Sequence, residues 1–263
     1  MRRVRLTLEY DGTAFFGWQR QAAGERTVQA ALEEALARLP GEHGSVVAAG
    51  RTDAGVHALA MTAHVDTDVA IPDEKLRLAL NAHLPRDVAV LRLETCADDF
   101  HAQFDCLYRR YLYRLRVLRD DPRGQALQRH RVLPVFRHLD VEAMQAACQA
   151  LLGTHDFSTF ATRETRSRER TLLLCDLRAE AGELRLHVAA DGFLRGMVRT
   201  IVGTLLWVGK GKLRPGDMPR LLAARDRTRA GHNVAPHGLY FVEAGYRPWQ
   251  PEASENAVDG LVL

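Results

Sequence analysis

Val4-Arg5-Leu6-Thr7-Leu8-Glu9-Tyr10 alternates apolar and polar residues one by one, the period-2 pattern of a β-strand that buries one face. The period changes after Thr27, a residue suited to cap a helix. Val28, Leu32, Leu36 and Leu39 then recur on one helical face, which predicts a helix over 28–39. Ser45 to Ala49 and Met61 to Thr67 read as strands, Lys75 to Ala82 as a helix after Pro72-Asp73, and Val88 to Leu93 as another strand. The resulting order is β-α-β-β-α-β.

A similar order returns after residue 106: a strand at 107–117, a helix at 141–152, strands at 171–179 and 184–189, helices at 195–208 and 216–225, and a last strand at 238–246. The β-α-β-β-α-β unit is the ferredoxin-like arrangement. The expected fold is therefore α+β: two divergent ferredoxin-like halves, 1–105 and 106–246, sharing a largely antiparallel sheet with a central cleft, and a loosely ordered tail at 247–263. Residues 120–138, with Pro122, Gly124 and Pro134, read as a connection and not as core.

The chain has 263 residues, 46% of them hydrophobic, enough for a substantial core and too many for a disordered chain. No apolar run approaches the roughly 20 residues that span a bilayer, and the N-terminus runs directly into strand pattern, so neither membrane nor signal peptide is expected and the cytoplasm is the default. Cys96, Cys106, Cys148 and Cys175 lie far apart and read as reduced thiols; the scattered histidines show no zinc spacing, so no metal is expected. Net charge is only +3, but Arg109, Arg110, Arg114, Arg116 and Arg119 form one cluster and Arg163, Arg166, Arg168 and Arg170 another, against three lysines in all. Arginine clusters suit phosphate backbones. Composition alone leaves codon bias toward arginine equally open.

The sharpest local feature is Gly50-Arg51-Thr52-Asp53-Ala54-Gly55-Val56-His57-Ala58. Glycines at both ends permit a tight turn and close backbone approach by a ligand, and Arg51 beside Asp53 favours the ionised form that a nucleophile needs. An aspartate that merely caps or completes a turn fits the local pattern as well.

The same segment, read as G-R-T-D-A-G-V-H-A, resembles the signature of the tRNA pseudouridine synthase A family. The resemblance extends through Leu8-Glu9-Tyr10-Asp11-Gly12, Gly17-Trp18-Gln19-Arg20-Gln21, Asp99-Phe100-His101-Ala102 and Arg110-Tyr111-Leu112-Tyr113. It continues in Leu152-Gly153-Thr154-His155-Asp156-Phe157, Phe193-Leu194-Arg195-Gly196-Met197-Val198-Arg199 and Gly238-Leu239-Tyr240. It implies a cofactor-free isomerase, an obligate homodimer, acting on uridines 38–40 of the tRNA anticodon stem-loop. The family's aspartate falls on Asp53, which would add to the base or capture the ribose. Alternation along Tyr108 to Val117 puts Tyr111, Tyr113, Leu115 and Val117 on one face and Arg110, Arg114 and Arg116 on the other, and both tyrosines fit a core as well. The family's active-site tyrosine falls on Tyr111, whose ring would stack on a uracil taken out of its helix and whose hydroxyl could assist a proton transfer. Leu239 matches an apolar wall of the base pocket, although a plain core leucine fits too.

Two further residues are read from their own settings. Arg51 can hold a phosphate or fill the space left by a flipped base, against an ordinary surface ion pair. Arg199 sits beside the apolar helical face of Leu194, Val198, Ile201, Val202 and Leu205, where it needs a buried partner; Asp53 is the natural one, which would link the two halves, although an ordinary structural ion pair elsewhere fits too. Val208-Gly209-Lys210-Gly211-Lys212 lacks the spacing of a nucleotide-binding loop, and His57 and His64 read as local hydrogen-bonding residues. Met61 and Thr62 stand where the family commonly has glutamine and valine, a departure in packing beside the site. An RNA-binding protein without chemistry, and a hydrolase with an aspartate nucleophile, are the competing classes.

Overall fold

The computed structural model describes residues 1–22, 24–119, 121–162, 167–180 and 182–250. The first half contains β1 (Arg2–Tyr10), α1 (Val28–Leu36), β2 (Val47–Ala48), β3 (His57–Thr67), α2 (Asp73–His83) and β4 (Val88–Thr95). The second contains β5 (Tyr108–Val117), β6 (Leu133–Val135), α3 (Val141–Gln149), β7 (Gly153–Asp156), β8 (Glu169–Glu180), β9 (Glu183–Ala190), α4 (Met197–Gly209), α5 (Met218–Ala224) and β10 (Leu239–Gly245). Each element of the sequence reading has a counterpart, most with shifted ends.

All ten strands belong to one sheet, ordered β4-β1-β3-β10-β5-β9-β8-β7, with β2 added to β3 and β6 to β5. Pairing is antiparallel except at β5–β6 and at β3–β10, where Tyr240 stands opposite His57 and Phe241 opposite Ala58. That short parallel contact joins strands β4-β1-β3 to strands β10-β5-β9-β8-β7. Helix α1 packs against α2, and α3 against α4. The core under the helices takes alternate residues of each strand, including Leu6 and Leu8 of β1, Met61 and Val65 of β3, Tyr111 and Tyr113 of β5, Leu186 and Val188 of β9, and Phe241 of β10.

Three local readings are corrected. The strand expected at Met61 starts four residues earlier at His57, because the backbone after Asp53 pairs at once with β1 and β10. The connection at 120–138 carries β6, which runs parallel to β5; Pro134 lies in this peripheral strand, where a missing N–H is tolerated. The helix expected from 195 begins at Met197, after Gly196 in the left-handed conformation (φ 71°).

The first arginine cluster is also corrected. Alternation on β5 does send Arg110 and Arg114 to the face opposite Tyr111, but that face is covered. Arg114 is buried in a two-pronged pair with Glu183, Nε and Nη2 each donating at 2.8 Å. Arg110 is also buried. Arg109 donates to the carbonyls of Ala49, Gln103, Cys106 and Asp191. These three cations are committed to the protein. Of the second cluster, Arg163 and Arg166 lie outside the described residues, as does 251–263 of the expected tail.

Candidate active site

The Asp53 turn is built by the chain that precedes α1. Trp18 donates its N–H to the Thr52 carbonyl (3.0 Å), and Gly55 donates to the Phe15 carbonyl (3.2 Å). Gly17 sits so close that a Cβ there would lie 2.5 Å from the Thr52 carbonyl oxygen. Its φ of 93° adds a second reason for glycine. Beneath the turn, the Thr52 hydroxyl bonds the Tyr10 hydroxyl at 2.8 Å inside the core. Asp53 itself is left one-third exposed at the top.

The pattern of hydrogen bonds also accounts for His57. Its Nδ1 accepts from the Gly12 N–H (3.0 Å) and its Nε2 faces the His130 carbonyl (2.8 Å), which fits a neutral ring protonated on Nε2. Burial pushes its pKa below the ordinary value, against the pull of Asp11. His64 likewise accepts a backbone N–H, from Ala102 at 3.1 Å. Both histidines brace the fold.

Arg199 arrives from the other half, on the first turn of α4. Its Nη1 donates to Asp53 Oδ2 at 3.2 Å and its Nε to the Val234 carbonyl at 2.7 Å. The latter contact depends on a strap, residues 230–235, that crosses α4 in backbone contact. A Cβ on Gly203 would lie 1.9 Å from the His232 carbonyl oxygen, and the Thr204 hydroxyl accepts the Gly231 N–H at 2.9 Å. The strap's far end accepts the Tyr113 hydroxyl at the Ala235 carbonyl (2.6 Å). Helix, strap and β5 together fix the guanidinium.

Tyr111 is buried, its ring edge-on to Phe193 (5.0 Å between centroids) and to Phe241 (5.2 Å). Burial raises its hydroxyl pKa; nearby Arg109 opposes this and the Asp53 carboxylate adds to it, so the phenol is neutral at physiological pH. Its hydroxyl makes no hydrogen bond among the described residues. Leu239, the first residue of β10, is buried opposite Tyr113, and the preceding Pro236 rests against Gly55 of the Asp53 turn. Arg51 is exposed and pairs with no carboxylate among the described residues.

Thus Asp53, Arg199 and Tyr111 meet at the junction of the halves, with Leu239 on the adjoining strand and Arg51 on the rim. Sequence reasoning did not single out Arg195, whose Nε lies 3.9 Å from Asp53 Oδ1, nor Phe193 and Phe241, which frame Tyr111. Helical spacing gave no signal for Arg195, because Gly196 takes the left-handed conformation and leaves Arg195 outside α4. Two cavities lie elsewhere: one of about 430 Å3 lined by His155, Asp156, Leu222 and Arg225, the other of about 300 Å3 lined by Asp11, His57, Arg131 and Tyr240. Neither is lined by Asp53.

A carboxylate oriented by an arginine is a group that nucleophilic catalysis can use. A family model described as tRNA pseudouridine synthase matches residues 7–105 and 147–247, and the chain belongs to that family. Over 250 residues it is 52% identical to tRNA pseudouridine synthase A of Thermus thermophilus, covering 94% of this chain and 97% of that one. It is 50% identical to tRNA pseudouridine synthase A of Rhodospirillum centenum and 40% identical to tRNA pseudouridine synthase A 2 of Clostridium perfringens, in each case over 94% of this chain and 100% of the relative. Asp53, Arg51, Arg199 and Leu239 fall within the matched residues; Tyr111 does not.

Proposed function

We propose that the protein isomerises uridine to pseudouridine in tRNA, at uridines 38–40 of the anticodon stem-loop, with Asp53 as the nucleophile on a flipped-out base. The observation that carries this is the Asp53–Arg199 pair, in which a nucleophile candidate from one half is oriented by a cation from the other at 3.2 Å. In the reaction the bond between N1 of uracil and C1′ of ribose breaks, the base turns, and a bond from C5 to C1′ forms; C5 gives up its proton and N1 gains one. Asp53 would add to the base or capture the ribose, Arg199 would hold and aim the carboxylate, and Tyr111 would stack on the uracil with Leu239 as a wall. Taking a base out of its stack costs a few kcal/mol, and base stacking on an aromatic is worth about 1–3 kcal/mol. Arg51 at the rim would bind phosphate or occupy the space the base leaves.

With the short strands β6 and β7 set aside, the second half orders its strands β10-β5-β9-β8, which matches the β4-β1-β3-β2 of the first half when the remaining four strands of each are numbered in chain order. This supports two divergent ferredoxin-like halves, 1–105 and 106–246, with a cleft between them. We further propose a homodimer acting in the cytoplasm, each tRNA reaching across both subunits. The test is Asp53→Asn. It is expected to retain tRNA affinity and to lose tritium release from C5-labelled uridine in tRNA; unchanged release would remove Asp53 from the mechanism.

A further inference from the structure

Two arginines flank the Asp53 carboxylate, one at each oxygen, and they are held differently. Arg199 spends Nε on the Val234 carbonyl and Nη1 on Asp53 Oδ2, and only 15% of its side chain is exposed. Arg195 stands with Nε 3.9 Å from Asp53 Oδ1, beyond hydrogen-bond reach, and 60% of its side chain is exposed. None of its guanidinium N–H groups has an acceptor among the described residues. Its backbone, by contrast, is pinned: the Arg195 carbonyl accepts the Thr162 N–H at 2.8 Å and the Thr162 hydroxyl at 3.0 Å, and Gly196 turns the chain into α4 just after it. A fixed root with a free, planar five-donor head beside the nucleophile is the arrangement that takes an oxyanion from outside.

The substrate offers one such group next to every base. From these contacts, and resting on the tRNA reading above, we propose that Arg195 binds a backbone phosphate flanking the uridine that enters the site. Arg199 then serves the protein by orienting Asp53, and Arg195 serves the RNA. A phosphate drawn to Arg195 brings the ribose of its nucleotide over Asp53, so the contact sets where the target base can turn. Arg195 is thus a substrate-positioning residue whose loss weakens engagement of tRNA more than it slows the chemical step.

The experiment uses the full chain, with tRNA transcripts carrying a neutral methylphosphonate on one or the other side of the target uridine. Arg195→Gln is expected to raise KM about tenfold while kcat changes by less than about twofold, as for loss of one charged hydrogen-bonded contact. Arg195→Lys should recover part of the affinity, because a point charge still attracts phosphate. At one of the two positions the methylphosphonate should weaken wild-type binding about as much as Arg195→Gln does, and should weaken that variant's binding no further. The slope of log affinity against log salt should fall by about 0.7–0.9 in the variant. A drop in kcat with unchanged KM, or full additivity with the methylphosphonate at both positions, would overturn the assignment. Wild-type protein that binds tRNA without isomerising it would overturn the functional reading, while the binding measurements would still decide the phosphate contact.

Discussion

At the scale of single residues, Tyr111 offers two separable functions, a ring wedged between Phe193 and Phe241 and a hydroxyl without a protein partner. If the ring supplies the stacking surface for the uracil, Tyr111→Phe should keep KM within about twofold, whereas Tyr111→Ala should lower kcat/KM by roughly ten- to hundredfold, the worth of one base-stacking contact. Steady-state tritium release from C5-labelled tRNA measures both. An alanine variant as active as wild type would contradict the stacking role. The turn that carries Asp53 was legible from its bracketing glycines, whereas the candidacy of Asp53 as nucleophile came from the resemblance of the nine-residue segment, because a capping aspartate fits the local pattern as well. Arg195 was not legible. Reading the helix from 195 put it on a helical surface, whereas Gly196 breaks the turn and leaves Arg195 before α4, where its head reaches the carboxylate.

At the scale of elements, α4 and the strap at 230–235 act as one part, and the close approach at Gly203 is what joins them. Gly203→Ala gains roughly 1 kcal/mol of helix propensity but puts a Cβ 1.9 Å from the backbone oxygen of His232, so the strap must move and the Val234 carbonyl with it. Arg199 loses its fixed aim on Asp53. We expect at least about a tenfold loss of kcat with tRNA affinity retained, since displacement of a catalytic group by about 1 Å can cost a hundredfold. Wild-type kcat in Gly203→Ala would show that the strap does not position Arg199. Periodicity located α4 but not its partner, because residues 230–235 have neither helical nor strand pattern. Alternation on β5 was similarly informative in part: it assigned Arg110 and Arg114 to the face opposite Tyr111 but not whether that face is wet. Glu183 on β9 and the segment bearing His130 and Arg131 close over it, the Arg131 carbonyl accepting the Tyr240 hydroxyl at 2.8 Å.

At the scale of the molecule, the site exists only because two halves of one sheet are joined through β3 and β10. The order of elements in each half could be read from hydrophobic period, since strands and helices bury faces at different spacings. The parallel β3–β10 contact could not, because it pairs residues 57–58 with 240–241 and no local pattern records so distant a register. It is this contact that carries Leu239 and Phe241 to the Asp53 turn. The chain's family membership makes uridine in tRNA the substrate to test. The most direct measurement is a map of pseudouridines in unmodified tRNA incubated with the purified protein. New pseudouridine at positions 38–40, absent when Asp53→Asn replaces the wild type, is the predicted result; no pseudouridine at those positions, or the same map from the Asp53→Asn protein, would contradict it.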